Sequence, residues 1–195
     1  MSTSSHQTKN TSASNLRSIL DEASVQYKEL TGYNLATHPF AAKFDNWDSA
    51  DTILEVFQDQ ARKFNEFRKG NEKLMEWLKP TVQIMVSISA SLGNAATSVQ
   101  LVFTGISILI GVSLFLNSLS PVHVTSTQAA AGVVASYEVL VNLFESVRYF
   151  LQRLKIYAGI PLTTELTQIF GRIMAEIILI LALGTKELMR GSISE

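Results

Sequence analysis

The chain has 195 residues, 16 basic and 17 acidic side chains, a formal net charge of −1 and no cysteine. This length is enough for one domain with a substantial hydrophobic core. The lack of cysteine excludes disulfides, thiolate metal sites and thiol nucleophiles, and the balanced charge argues against a nucleic-acid binder that must neutralise several phosphates.

The first part of the sequence predicts a polar tail followed by an amphipathic helix. Residues 1–14 are rich in Ser and Thr and lack an apolar run, so we expect a disordered tail that is neither a signal peptide nor a transit peptide. A cytoplasmic location is the simplest interpretation. A helix should begin near Ser14 and end at Gly32, which suits a C-terminal cap. Its apolar residues recur at three- and four-residue spacing, at Leu16, Ile19, Leu20, Ala23, Tyr27 and Leu30.

Three shorter helical segments are predicted next. Pro39 tolerates the first turn of a helix, so we expect one or two helical turns over residues 39–44. Asp48 and Ser49 can cap an amphipathic helix that ends near Gly70. A further helix over residues 71–79 should end or kink at Pro80.

The second half of the chain contains a long uncharged stretch. Residues 80–137 include no Asp, Glu, Lys or Arg. Gly93-Asn94 predicts a turn between two apolar helices, residues 82–92 and 95–116. Within the second, the run 101–116 would span only about 24 Å, less than the hydrocarbon core of about 30 Å, and no Lys or Arg flanks it closely. We therefore favour a buried core helix over a permanent transmembrane helix and leave conditional insertion open. The candidate helix-packing or membrane-active residues are Leu101, Phe103, Ile108, Gly111 and Phe115.

Two more helices complete the predicted fold. One has its best-defined part over residues 133–157, and the other covers about Thr164 to Met189. Residues 177–183 of the last helix are apolar on all sides, which predicts burial on several sides. Because no segment alternates with period two, we predict an all-α multi-helix bundle over residues 15–190 with a highly apolar central helix pair. Residues 191–195 should form a frayed or truncated end.

No motif predicts catalysis. The histidines His6, His38 and His123 lack the spacing of metal ligands, and His38 is better explained as a helix-entry residue before Pro39 than as a general base. Neither a glycine-rich phosphate loop nor a nucleophile elbow is present. We therefore expect no enzyme activity, no cofactor and no metal. A basic and aromatic patch over residues 62–69 fits a solvated helix face better than a binding site for an anionic membrane or RNA.

Several motifs resemble one family. Residues 27–33, 35–44 with Thr37-His38-Pro39, 77–82 with Trp77-Leu78-Lys79-Pro80, 143–157 and 178–187 resemble the Goodbye domain at the N-terminus of fungal STAND proteins. The resemblance extends from Leu16 to Arg190. It implies a helical effector module that is attached in cis to a nucleotide-binding oligomerisation domain in NLR-like receptors. For its fold, a four-helix-bundle architecture like that of HeLo and MLKL domains is one option. The family supplies no catalytic residues.

The resemblance implies a role in non-self recognition and regulated cell death. Our first hypothesis is an effector that perturbs membranes when it oligomerises, with self-association and the membrane as further partners and no nucleic acid. The alternative is a soluble adaptor or oligomerisation module without membrane activity. The abrupt end near Glu195 favours an excised domain over a stand-alone relative.

Overall fold

A computed structural model describes residues 5–45, 47–65, 71–92, 96–119, 142–149, 151–153 and 163–191. No strand occurs in these ranges, and the prediction of an all-α multi-helix fold is confirmed. The helices are α1 (Ser5–Thr31), α2 (Ala50–Asn65), α3 (Asn71–Leu92), α4 (Ala96–Leu119), α5 (residues 142–149 and 151–153) and α6 (Thr164–Gly191), with a 3-10 turn at Ala41–Phe44.

Helix α1 begins earlier and ends where the sequence predicted. It starts at Ser5 rather than near Ser14, so most of the expected disordered tail is helical. Residues 5–13 contain neither Pro nor Gly, and nothing in them interrupts a helix that continues into the packed section. At the other end, Gly32 has φ 77°, and its N–H donates to the Lys28 carbonyl at 2.8 Å. This is the left-handed cap that glycine favours.

Polar side chains shape the connector between α1 and α2. The Asn34 side-chain oxygen accepts hydrogen bonds from the backbone N–H groups of Ala36, at 3.0 Å, and Thr37, at 3.3 Å. Such a bond replaces a backbone turn. The 3-10 turn at Ala41–Phe44 then confirms the helical turns predicted after Pro39.

Helix α2 begins at the predicted cap. The Ser49 hydroxyl accepts a hydrogen bond from the Thr52 N–H at 3.2 Å, and the Thr52 hydroxyl donates to Asp48 at 2.6 Å. The predicted end near Gly70 lies outside the described residues.

Helix α3 continues through Pro80, which the sequence predicted to end or kink a helix. Proline removes one helical hydrogen bond. Leu78, Thr81 and Val82 on either side of it have no exposed surface, so tertiary packing holds this segment in the helix despite the lost bond.

The C-terminal half follows the predicted order of helices. Helix α4 extends to Leu119, past the expected end at residue 116, and the predicted turn at Gly93-Asn94 lies outside the described ranges. The expected helix over residues 133–157 is described only in part, where it is helical. Helix α6 begins at Thr164, and its first turn is capped by the Thr163 hydroxyl, which accepts from the Leu166 N–H at 3.3 Å.

Helix α4 lies at the centre of the bundle. It contacts α1, α2, α3, α6 and the 3-10 turn, while α1 packs along α6 and α2 packs on α3. The approach of α1 to α6 is close at Gly171, where an added Cβ atom would clash with Leu16 Cδ1.

The prediction that α6 is buried on several sides over residues 177–183 is confirmed for only part of the circumference of the helix. Ile177, Ile178 and Leu181 are buried, but Ile180 is 38% exposed and Leu183 is 52% exposed. The neighbouring helices cover only part of the circumference of α6, and the rest of this apolar section faces outward.

Candidate functional site

The most apolar helix is also the most enclosed. Residues 102–110 of α4 are all buried. Five residues of α4 were predicted to be helix-packing or membrane-active. Of these, Phe103 is fully buried, Ile108 is 2% exposed, and Leu101 and Gly111 are half-buried. Phe115, near the end of α4, is 62% exposed. The candidate segment therefore has a concealed body and one exposed aromatic residue.

An aromatic cluster joins α4 to the connector and to α2. The Phe103 ring lies 5.7 Å from Phe44, 6.1 Å from Phe57 and 6.4 Å from Trp47, measured between ring centroids. The planes of Phe103 and Phe57 meet at 77°, close to the edge-to-face arrangement that aromatic pairs prefer. Three separate segments thus share one buried contact at Phe103.

Gln100 ties the start of the buried run to the same connector. Its side-chain N–H donates to the Ala41 carbonyl at 3.2 Å and to the Asp45 carboxylate at 2.5 Å. From the sequence, Gln100 only marked the end of an apolar run. Its role depends on partners 59 and 55 residues away, and no local pattern could have identified them.

The connector continues along α4 to Gly111. A Cβ atom added to Gly111 would lie 3.4 Å from the Phe40 ring, and Lys43 Nζ lies 5.4 Å from the centroid of that ring. The connector therefore covers α4 from Gln100 to Gly111, about 16 Å along the helix axis.

His38 stabilises the entry to the 3-10 turn. Its Nδ1 atom accepts a hydrogen bond from the Phe40 N–H at 3.2 Å, and its ring meets Tyr33 edge-on at 5.7 Å. Burial lowers the pKa of His38, because a partly desolvated imidazole is harder to protonate. This geometry suits the helix-entry role expected from the sequence.

Helices α1 and α6 cover α4 on another side. A Cβ atom at Gly105 would lie 3.1 Å from Leu181 and 3.7 Å from the Tyr27 ring. The Tyr27 hydroxyl lies 3.5 Å from the Thr185 hydroxyl, and burial raises the pKa of Tyr27 to about 12. Gly105 therefore allows α4 to approach both helices closely.

The hydroxyls within α4 differ in their hydrogen bonding. Thr104 donates to the Gln100 carbonyl at 2.9 Å, one helical turn back, which is how a hydroxyl is satisfied inside an apolar helix. The buried Ser107 hydroxyl has no hydrogen-bond partner.

The apolar segments of α4 and α6 differ in whether they are long enough to cross a membrane. In the described part of the chain, Glu165–Arg190 of α6 is long and apolar enough to cross a bilayer, whereas Val99–Ser113 of α4 is shorter. The core helix of a soluble protein passes the same test, and 44% of the α6 window is buried in this fold. The described ranges contain no group of three or more potential metal ligands.

A protein-family model matches the part of the chain that contains the connector and α4. The model of the fungal STAND N-terminal Goodbye domain matches residues 20–157, which include the connector and α4. The match ends before α6, so the similarity noted over residues 178–187 lies outside it. No curated protein and no solved structure matches the chain. In full-length STAND proteins, this N-terminal position implies a nucleotide-binding domain joined in cis. The chain belongs to the Goodbye domain family of fungal STAND proteins.

Proposed function

We propose that this domain is an effector and signalling module in non-self recognition and regulated cell death, and that oligomerisation triggers it to perturb membranes. The observation that carries the proposal is the burial of an uncharged helix at the centre of the bundle. Residues 102–110 of α4 are enclosed, and an apolar surface of this size can act on lipid only if neighbouring elements move away from it.

The connector is the element best placed to move. It holds α4 through the Gln100 hydrogen bonds and the ring contacts of Phe40 and Phe44, and one of its anchors, Asp45, is exposed. A two-state change from 1:99 to 99:1 requires about 5.5 kcal/mol of differential binding. Clustering by the nucleotide-binding domain would supply this energy by favouring the open form.

The proposed activity requires no reaction, cofactor or metal. The domain would reside in the cytoplasm and reach the membrane after activation. Its partners would be the nucleotide-binding domain in cis, further copies of itself and lipid.

A soluble adaptor or oligomerisation module is the second candidate. Complete burial of the body of α4 favours it, as do the charged residues that α6 exposes, among them Arg172 and Glu176. In this role the helices would be recognised by protein partners and would not enter lipid.

Dye release from liposomes distinguishes the two functions. The domain, fused to an inducible dimerisation module, is added to vesicles of phosphatidylcholine with and without phosphatidylserine. We expect the clustered form to release more dye than the monomer. Release equal to that of the monomer in every lipid mixture would contradict the effector function and leave the adaptor.

A matched pair of variants tests the role of the connector. Gln100→Ala removes the hydrogen bonds to Ala41 and Asp45, so release should begin at a lower dimeriser concentration. Gln83→Ala makes the same change at an exposed position of α3 and should leave the threshold unchanged. Equal thresholds for both variants would show that the connector does not control α4.

A further inference from the structure

Helix α6 presents one narrow exposed face. Its exposed residues follow each other at spacings of three or four and lie within an arc of about 80° on a helical projection. They are Glu165, Ile169, Arg172, Glu176, Ile180, Leu183, Glu187 and Arg190. We refer to these eight residues as the α6 face.

The α6 face combines apolar residues with charges of both signs. Ile169 is 51% exposed, Ile180 38% and Leu183 52%, and charged residues lie between and beside them. Charges at these positions would be costly in the hydrocarbon core of a bilayer. A stripe of apolar residues within a charged border is instead the composition of a protein interface.

The charges along the α6 face are complementary when two copies of the face run in opposite directions. Arg172 and Glu187 are equally distant from the midpoint between Leu179 and Ile180. In an antiparallel pair of α6 helices with its two-fold axis at this midpoint, Arg172 of each copy faces Glu187 of the other. Arg172 has no ion-pair partner within the described part of the chain, whereas Glu187 lies 3.3 Å from Arg190 on the exposed surface.

The same axis brings the two copies of Ile180 together. Ile180 lies beside the axis and meets Ile180 of the second copy, whereas Leu183 of each copy lies opposite Glu176 of the other. Moving the axis toward the N-terminus, to Glu176, would place this carboxylate against itself. Moving it toward the C-terminus, between Ile180 and Leu183, would place Glu176 against Glu187. Like charges therefore disfavour both of these alternative registers.

We propose that the α6 face pairs two copies of this domain in an antiparallel arrangement about a two-fold axis near Ile180. Such an interface is isologous, because the same patch serves on both copies. The inference rests on the proposed function in one respect. That function requires the domains to cluster, and the α6 face would supply a surface for the clustering.

Disulfide trapping tests the register directly, since the chain contains no cysteine. Ile180→Cys should form a disulfide-linked dimer rapidly under mild oxidation. Val25→Cys, at a position 57% exposed on α1, is the matched control and should link slowly. Ile169→Cys should also link slowly, because the antiparallel pair places its two copies about 30 Å apart. Equal rates for residues 180 and 25, or the fastest linkage at residue 169, would overturn the proposal.

Charge reversal tests the same interface without cysteine. By sedimentation equilibrium, Arg172→Glu should weaken self-association at least about tenfold, because it places like charges opposite each other twice. Adding Glu187→Arg to the same chain should restore association. A wild-type chain that remains monomeric at all concentrations, or a double variant no tighter than Arg172→Glu, would overturn the pairing.

The outcome is separable from that of the effector function. Flotation with vesicles of phosphatidylcholine and phosphatidylserine provides a second measurement on the same variants. If Arg172→Glu changes flotation but not self-association, the α6 face binds lipid and the pairing is wrong. If the pairing fails while the artificially dimerised domain still releases dye, only the interface is refuted.

Discussion

Phe103 should be the most sensitive position on α4. Replacing it with alanine removes a fully buried ring that packs against Phe44 and Trp47 of the connector and against Phe57 of α2. Phe115→Ala is the matched control, because it makes the same substitution on the same helix at a residue that is 62% exposed.

The structure determines the size of the expected difference. Truncating a buried phenylalanine to alanine typically lowers the free energy of unfolding by about 3–5 kcal/mol. An exposed substitution away from the core changes it by about 0.5 kcal/mol or less. For a chain of this length, 1 kcal/mol corresponds to about 2–4 °C in Tm. Phe103→Ala should therefore lower Tm by about 6–20 °C, and Phe115→Ala by no more than about 2 °C.

Thermal melting followed by circular dichroism measures both variants under the same conditions. Folding at low temperature is verified for each by the helical signal before the melt. If the two variants lower Tm equally, α4 is not enclosed by the connector and α2 as described, and the proposal that its surface is concealed loses its basis.

Four further predictions concern single positions. Gly111→Ala should raise the free energy of unfolding by about 0.5–1 kcal/mol, since alanine is the better helix former and its Cβ would lie 3.4 Å from the Phe40 ring. Gly111→Leu should lower the free energy of unfolding by about 1–3 kcal/mol, because the larger side chain would displace that ring. Urea unfolding measures both changes. Ile108→Asp would bury an unpaired carboxylate at a position that is 2% exposed and should leave the chain insoluble or partly unfolded. Ile108→Val is the control, and solubility and Tm are measured for both variants. Burial lowers the pKa of His38 below 6.5, so the unfolded chain binds the proton more tightly than the folded chain does. The free energy of unfolding should therefore fall as the pH drops below 6.5. His38→Ala should reduce this dependence of the free energy of unfolding on pH, as measured by urea unfolding at several pH values. Because the pKa of Tyr27 is raised from 10.0 to about 12, its stabilising contribution should be lost as the pH rises from 10 to about 12, and Tyr27→Phe should remove this loss in thermal melts across that range.

The sequence predicted helices well where their signals are local. Apolar spacing identified α6 and the body of α4, and the glycine at residue 32 marked the end of α1 because its positive φ is a property of one residue. The caps of α2 were equally readable, since Asp48 and Ser49 bond within one helical turn.

Local signals failed where packing outweighs them. Pro80 is a helix breaker by its own chemistry, but burial of Leu78, Thr81 and Val82 keeps α3 continuous. The extension of α1 to Ser5 likewise could not be read from a polar composition, which indicates only that a segment lacks the apolar surface for a core.

Apolar periodicity and the absence of charge are properties of consecutive residues, so the amino-acid sequence is enough to predict that the chain is helical and that its least charged helix must be hidden. What hides that helix depends on contacts between distant parts of the chain. The contacts of Gln100 with Ala41 and Asp45 join residues 59 and 55 positions apart, and the exposure of Ile180 and Leu183 depends on which side of α6 faces its neighbours. A periodic pattern defines the faces of a helix, but the helices packed around it decide which face remains open.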